Sequence, residues 1–372
     1  MWVSELQLAS YRNYEQLNIR LSAGQTLIFG ENGRGKTNLV EALGFLANLE
    51  SHRSGAKGTL VMQGQTTAQI STTANHNGRA VKIAAEISTE KTNTFFLNSK
   101  PQRRASDVLG NLSVVIFAPE DLDIVRRDPS DRRAFLDVTM ASLKPRLGQL
   151  KADYDRVLKQ RNALLKSARG VKNPELSTLD IWDEQLVGLG SEIVKERGEL
   201  IAKLAPPLQS FYTALADSND EIALRLVSLG EGDIEEQIDR QHIAQQLRSR
   251  LAEKKEAELE RGITLVGPHR DDLVIEKNGL LARTHASQGE AWSIALGLRL
   301  AVANLLRDGA GGDPVLILDD VFSVLDAGRR KRLVDFVVDY EQVLVTSADR
   351  GMAPDLSWSK KLEVLGGEVR EA

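Results

Sequence analysis

The hydrophobic rhythm of this chain changes twice. At the start it has the rhythm of strands: Val3, Leu6 and Leu8 belong to one, and Leu17-Asn18-Ile19-Arg20-Leu21 alternates with period two. Ser22-Ala23-Gly24 is turn chemistry, and Thr26-Leu27-Ile28-Phe29 is an apolar run that predicts a buried strand. Residues 38–46 then read as a helix, and residues 51–58, polar and rich in glycine, as a loop. Residues 66–98 give short alternating segments such as Val81-Lys82-Ile83-Ala84-Ala85-Glu86-Ile87, which predict an antiparallel sheet. Val114-Val115-Ile116-Phe117 is a further buried strand.

From residue 126 to residue 261 the spacing lengthens to three and four. Leu147, Leu150, Tyr154, Val157, Leu158, Leu164 and Leu165 make one helical face, and Leu179, Trp182, Leu186, Leu189, Ile193 and Leu200 make another. Pro206-Pro207 is expected to interrupt the helix, Ile222 to Val227 to form a strand, and Asp233-Ile234-Glu235-Glu236 to open another helix with an acidic cap. These periods suffice for a helical hairpin or small bundle and are too few for a long coiled-coil arm. After Gly262 the strand pattern returns, first in Ile263-Thr264-Leu265-Val266, later in Val315-Leu316-Ile317-Leu318. The expected organisation is an α/β domain from residues 1–125 and 262–372, split by a helical insertion over 126–261.

Chemistry enters where the first buried strand ends. Gly30-Glu31-Asn32-Gly33-Arg34-Gly35-Lys36-Thr37 is a G-x-x-x-x-G-K-[ST] phosphate loop between a strand and a helix. Such a loop turns its backbone N–H groups onto an anion, with Lys36 on the β- and γ-phosphates, the Thr37 hydroxyl on Mg²⁺ and the helix dipole behind it, starting at Asn38. The expected ligand is therefore ATP with Mg²⁺. Val315-Leu316-Ile317-Leu318-Asp319-Asp320 has the form of a Walker B strand, with Asp319 on the metal and Asp320 orienting or deprotonating the attacking water. Ser287-Gln288-Gly289-Glu290 opens an amphipathic helix, and a serine there is by itself an ordinary cap. Ser323-Val324-Leu325-Asp326 follows the second acid.

Composition narrows the classes. No cysteine is present, which excludes disulfides, thiol catalysis and thiolate zinc sites, and the five histidines have no metal-ligand spacing. The first residues show no secretory signal and no apolar run reaches the ~18 residues of a membrane helix, so a cytoplasmic, soluble protein is expected. Net charge is −4, so any nucleic-acid surface must be local. Residues 144–172 carry nine Lys or Arg against two Asp. Lys151, Lys159 and Lys166 lie off the apolar face there and are candidate DNA contacts. Arg53, close in sequence to the phosphate loop, is a candidate nucleotide or DNA contact.

The order of phosphate loop, Ser-x-Gly-Glu, Asp-Asp and Ser-x-Leu-Asp resembles the ATP-binding-cassette ATPases. A finer set is similar to the RecF family of recombination and gap-repair ATPases, related to the SMC heads. It comprises Tyr11-Arg12-Asn13-Tyr14, residues 30–43, Phe117-Ala118-Pro119-Glu120-Asp121-Leu122, Arg132-Arg133-Ala134-Phe135-Leu136-Asp137, Gly267-Pro268-His269-Arg270-Asp271-Asp272, residues 287–290 and Leu318-Asp319-Asp320-Val321-Phe322. The resemblance implies an ABC-type head: a mixed sheet with flanking helices and an antiparallel β subdomain. It further implies ATP held between two protomers, by residues 30–37 of one and by Ser287 and Gly289 of the other. Binding would drive dimerisation on gapped DNA or single-strand/duplex junctions, and slow, DNA-stimulated hydrolysis would release it, with RecO and RecR as mediators and RecA loaded downstream. The chain departs from transporter cassettes, which carry Gln where Pro119-Glu120-Asp121 stands and His where Val345-Thr346-Ser347 stands; Thr346 is a possible stand-in sensor of the γ-phosphate. Two other classes share parts of the pattern. One is the energising subunit of a transporter, opposed by the 249-residue separation of Thr37 and Ala286; the other is an SMC-like tether, opposed by the short helical segment.

Overall fold

The computed structural model describes residues 1–51, 53, 57–171, 176–228, 239–309, 312–353 and 356–372. The chain forms two compact units: Met1–Leu122, Ser210–Asn219 and Ser287–Ala372 make the first, Asp123–Gln209 and Asp220–Ala286 the second.

In chain order, β1 (Trp2–Tyr11), β2 (Tyr14–Arg20) and β3 (Gly24–Phe29) lead to α1 (Lys36–Asn48). Then come β4 (Thr67–His76), β5 (Arg79–Ser88), β6 (Thr94–Leu97), β7 (Lys100–Pro101) and β8 (Val114–Phe117). Helices α2 (Leu122–Arg126), α3 (Pro129–Leu143), α4 (Pro145–Ala168) and α5 (Leu179–Ala216) follow. Next are β9 (Ile222–Val227), α6 (Arg240–Arg261), β10 (Asp272–Lys277), β11 (Leu280–Leu281) and α7 (Ala282–His285). The chain ends with α8 (Gln288–Arg307), β12 (Val315–Asp319), α9 (Ala327–Val337), β13 (Gln342–Ser347), β14 (Trp358–Val364) and β15 (Val369–Glu371).

The first unit holds two sheets. One has the order β15-β14-β3-β13-β12-β8 and is parallel except for β15; the other, β2-β1-β4-β5-β6-β7, is antiparallel throughout. Strands β8, β12 and β13 are buried along their whole length, which is why they read as unbroken apolar runs: a parallel sheet is covered on both faces. Helix α1 packs on strands of both sheets, its Leu39, Leu43, Phe45 and Leu46 sharing a core with Leu6, Leu8, Ile70, Ile83 and Ile317. The register sets Asp319 beside Thr346 and Thr346 beside Ile28, so the carboxyl ends of three parallel strands are level. In open α/β sheets ligands bind at that edge.

The second unit is helical with a three-stranded sheet of order β11-β10-β9. Its interior is joined by buried ion pairs. Arg197, fully buried, bonds Asp271 at 2.8 Å and Asp137 at 2.7 Å, and Arg161 bonds Glu258 at 2.7 Å and Asp183 at 2.6 Å. Burial raises the Asp271 carboxyl even so, against the opposing pull of Arg197. Such pairs are costly to break singly, because the partner stays behind as an uncompensated charge.

Three expectations are corrected. Pro206-Pro207 does not interrupt the chain: both lie inside the 38-residue α5. Each proline costs a helix about 3 kcal/mol, but Leu204, Leu208, Tyr212 and Leu215 are fully buried around them, each contributing about 2 kcal/mol, and this burial outweighs the breaker. Residues 263–266 form no strand, because side chains take up their backbone groups: Asn162 Oδ1 accepts the Thr264 N–H at 2.7 Å and Glu258 Oε1 that of Leu265 at 2.7 Å. The strand begins instead at Asp272, and its pairing with β9 draws residues 262–286 into the second unit rather than the first. The helix start expected at residues 233–236 lies outside the described residues. No helix of the described residues is long and apolar enough to cross a membrane.

Candidate nucleotide site

The phosphate loop is braced from behind. Gly35 caps α1 with φ 111°, and a Cβ there would lie 2.5 Å from the Asn13 amide nitrogen and 2.8 Å from the Tyr14 hydroxyl. Both side chains hold the loop's carbonyls: Tyr14 Oη donates to Gly35 O and Asn13 Nδ2 to Arg34 O, each at 3.0 Å. Gly30, at φ 150°, passes so close to β14 that a Cβ would sit 2.4 Å from the Val364 carbonyl oxygen. The glycines are thus demanded by close approach and by the left-handed backbone. Glu31 and Arg34 pair with each other at 2.5 Å on the exposed side of the loop.

Lys36 folds over this loop. Its Nζ donates to the carbonyls of Gly30 at 2.6 Å and Glu31 at 3.0 Å, and lies 3.4 Å from Asn32 Oδ1. Burial lowers its pKa, with the charges of Asp320 and Asp319 working the other way. A phosphate would replace the carbonyls as the stronger partner.

The two halves of the expected metal site meet. Thr37 Oγ1 donates to Asp319 Oδ1 at 3.1 Å. Adjacent oxygens around an octahedral Mg²⁺ with bonds of about 2.1 Å are about 3.0 Å apart, so this hydroxyl and this carboxylate fit two neighbouring positions of such an ion. Thr346 Oγ1 also donates to Asp319 Oδ1, at 2.6 Å, and accepts the Asp320 N–H at 2.9 Å. Asp320, the residue after the end of β12, is left-handed at φ 52°. The Thr346 hydroxyl is committed to the two acids, so the role of free γ-phosphate sensor does not fit it. Asp121, in the Pro119-Glu120-Asp121 stretch that stands in place of the missing Gln, is likewise engaged: it accepts the Ala118 N–H at 2.9 Å and bonds Arg299 of α8 at 2.6 Å.

Around α1 a second network forms that the hydrophobic pattern did not announce. Glu41, fully buried, takes a two-point contact from Arg12 at 2.6 and 2.9 Å, and the hydroxyls of Tyr11 and Ser51. Arg12 also holds the Thr59 carbonyl at 2.8 Å. Arg53 Nη1 donates to Asn38 Oδ1 at 3.2 Å, and Asn38 donates to Asn13 at 2.7 Å, so Arg53 and Asn38 stand beside the phosphate loop. The only sequence signal for this network is the resemblance carried by Tyr11-Arg12-Asn13-Tyr14.

Ser287 and Gly289 lie at the start of α8. Ser287 makes a capping box: its hydroxyl accepts the Glu290 N–H at 3.3 Å and Glu290 accepts the Ser287 N–H at 2.7 Å. Asp326 caps α9 by accepting the Arg329 N–H at 2.9 Å.

The basic segment of the second unit is less basic than its sequence. Lys144 and Arg146 pair with Glu196, Arg156 with Asp153, Arg161 with Glu258 and Asp183. Lys151 bonds Asp155 at 2.6 Å and lies 3.7 Å from Asp137, which takes it out of the free set. Lys159 and Lys166 are exposed and, among the described residues, carry no ion pair; Arg169 joins them at the end of α4. Lys172 lies outside the described residues.

Comparison with known proteins agrees with this picture. The family described as the RecF/RecN/SMC N terminal domain matches residues 2–364. The DNA replication and repair protein RecF of Clavibacter michiganensis subsp. michiganensis is 44% identical over 390 residues, covering 100% of this chain and 96% of that protein. The RecF protein of Kineococcus radiotolerans is 45% identical over 364 residues, covering 94% and 93%. A solved structure of the recombination mediator RecF with ATP, in the RecFOR pathway, superposes with a TM-score of 0.91 at 28% identity, over 100% of this chain and 97% of that one. An SMC head with an extended coiled coil from Pyrococcus furiosus reaches 0.56 at 16% identity over 100% and 96% of the two chains, a likeness of fold. With its ABC-type head, this chain belongs to the RecF family of the RecF/RecN/SMC group.

Proposed function

We propose that the protein is an ATP-gated DNA-binding switch of replication and recombinational repair. The observation that carries this reading is the 3.1 Å contact between Thr37 and Asp319, which brings phosphate loop and Walker B strand together at the carboxyl edge of the parallel sheet. Gly30 to Asn38 bind the triphosphate, with Lys36 on its outer phosphates. Thr37 and Asp319 hold the Mg²⁺, which supplies charge neutralisation of the phosphates when bound. Asp320, fixed by Thr346, orients the attacking water. Ser287 and Gly289 complete the site of a second copy, since the N-terminus of α8 offers N–H groups to an anion. The support is the family resemblance and the solved RecF structure that bears ATP.

In this reading ATP binding closes two copies on DNA at gaps or single-strand/duplex junctions, and slow hydrolysis, stimulated by DNA, opens them. The relatives' role in DNA replication and repair and the RecFOR setting of the solved neighbour support DNA, RecO and RecR as partners, with RecA loading as the outcome. With DNA as partner, the protein acts in the cytoplasm. Membership of the RecF family leaves the transporter reading without support.

The test is sedimentation of wild type and Asp320→Asn with and without ATP, on gapped DNA and on plain duplex. A monomer that becomes a DNA-bound dimer with ATP, and a longer-lived dimer in Asp320→Asn, are expected. A chain whose mass is indifferent to ATP contradicts the reading.

A further inference from the structure

The space beside Gly289 is occupied by Arg329. A Cβ built on Gly289 lies 3.0, 3.1 and 3.2 Å from Nη2, Nη1 and Cζ of that guanidinium. The guanidinium has little room to give way, because it is anchored twice. Its Nε donates to Ser293 Oγ at 3.1 Å, and its Nη1 pairs with Asp326. Ser293 is fully buried and donates in turn to the Gly289 carbonyl at 3.1 Å. A continuous series of bonds therefore runs from Asp326, last residue of the Ser323-Val324-Leu325-Asp326 loop, through Arg329 and Ser293 to Gly289.

An exposed ion pair within one helix turn contributes little, and Arg329–Asp326 taken alone is such a pair. That description leaves two features unaccounted for. The guanidinium bridges to a buried hydroxyl on another helix, and it lies over the first turn of α8, where the helix dipole is positive and disfavours a cation. A planar fork that reaches acceptors on two elements is a geometric device, which lysine does not reproduce.

We propose that Arg329 is a positioning residue that ties the 323–326 loop to the start of α8, and that residue 289 is glycine in order to admit its guanidinium. The loop and the turn bearing Ser287 and Gly289 then move as one piece when a second copy closes. This inference rests on the two-protomer reading above.

The experiment measures ATP-driven dimerisation, kcat, KM for ATP and the unfolding midpoint in wild type, Arg329→Ala, Gly289→Ala and the double variant. Arg329→Ala is expected to lower kcat about tenfold with KM and midpoint unchanged, Gly289→Ala to lower kcat by about as much, and the double to fall no further than the lower single, because the new Cβ fills space the guanidinium has left. Losses that multiply to about a hundredfold in the double would show that Gly289 answers to something other than Arg329 and overturn the proposal. So would wild-type kcat in Arg329→Ala, or a fall of the midpoint in step with kcat. A wild type that stays monomeric with ATP defeats the two-protomer reading itself; a normal wild-type dimer beside an unaffected Arg329→Ala defeats only this inference.

Discussion

Thr346 donates its hydroxyl proton to Asp319 across 2.6 Å. The same oxygen receives the Asp320 N–H, so one hydroxyl on β13 fixes both acids at the end of β12. Thr346→Val keeps the shape and removes both bonds, leaving a half-buried N–H unsatisfied at a cost of about 1 kcal/mol. Hydrolysis is expected to fall about ten- to a hundredfold while ATP affinity stays near wild type, with Thr346→Ser close to normal. Single-turnover hydrolysis beside equilibrium nucleotide binding checks this; equal losses in both would assign Thr346 to binding instead.

His269 gives the second unit a pH dependence. Burial pushes its imidazole down to about 4, with the cations Arg270, Arg133 and Arg161 adding to the shift and the bond to the Thr264 carbonyl opposing it. Its ring also contacts the Tyr154 hydroxyl at 2.7 Å. Between pH 6.5 and 4 the unfolded chain binds the proton and the folded one does not. The contribution is therefore complete above pH 6.5 and lost as pH falls towards 4, up to about 3 kcal/mol. His269→Gln should flatten this part of the stability curve relative to wild type in denaturant titrations; parallel curves would contradict it.

The DNA track expected on α4 rests on fewer lysines than the sequence suggests: of Lys151, Lys159 and Lys166, only the last two carry no ion pair among the described residues. Changing Lys159 and Lys166 together to Ala should make the slope of log affinity against log salt shallower by about 2, as two phosphate contacts are lost. Lys151→Ala, whose charge is already matched by Asp155 and Asp137, should leave the slope where it was. An unchanged slope in the double variant removes α4 from the track.

These cases show what a sequence carries and what it does not. The phosphate loop, the Walker B strand and the buried strands were legible because each depends on local requirements: glycines at close approaches, and apolar residues along strands covered on both faces. The net charge of residues 144–172 overstates their free charge, because part of its neutralisation comes from Glu196, Asp183 and Glu258, distant in sequence and near only after folding. Pro206-Pro207 misled because burial of Leu208, Tyr212 and Leu215 is a tertiary term that propensity omits. Residues 263–266 have strand composition, yet Asn162 and Glu258 satisfy their backbone. The bonds from Thr346 to the acids and from Arg329 to Ser293 leave no periodic trace; single residues on separate elements form them.

The central claim is that each nucleotide site is completed by a second copy. Lys36→Ala alone should lose ATP binding, and Ser287→Arg alone should bind ATP yet fail to dimerise and hydrolyse. Mixed together, they form a dimer in which one site pairs an intact phosphate loop with an intact Ser287, and the other has neither. The decisive measurement is ATP hydrolysis by the mixture. Activity that appears only on mixing and peaks near equal proportions is the predicted result; a mixture as inactive as its components, or Ser287→Arg hydrolysing normally on its own, would contradict the account.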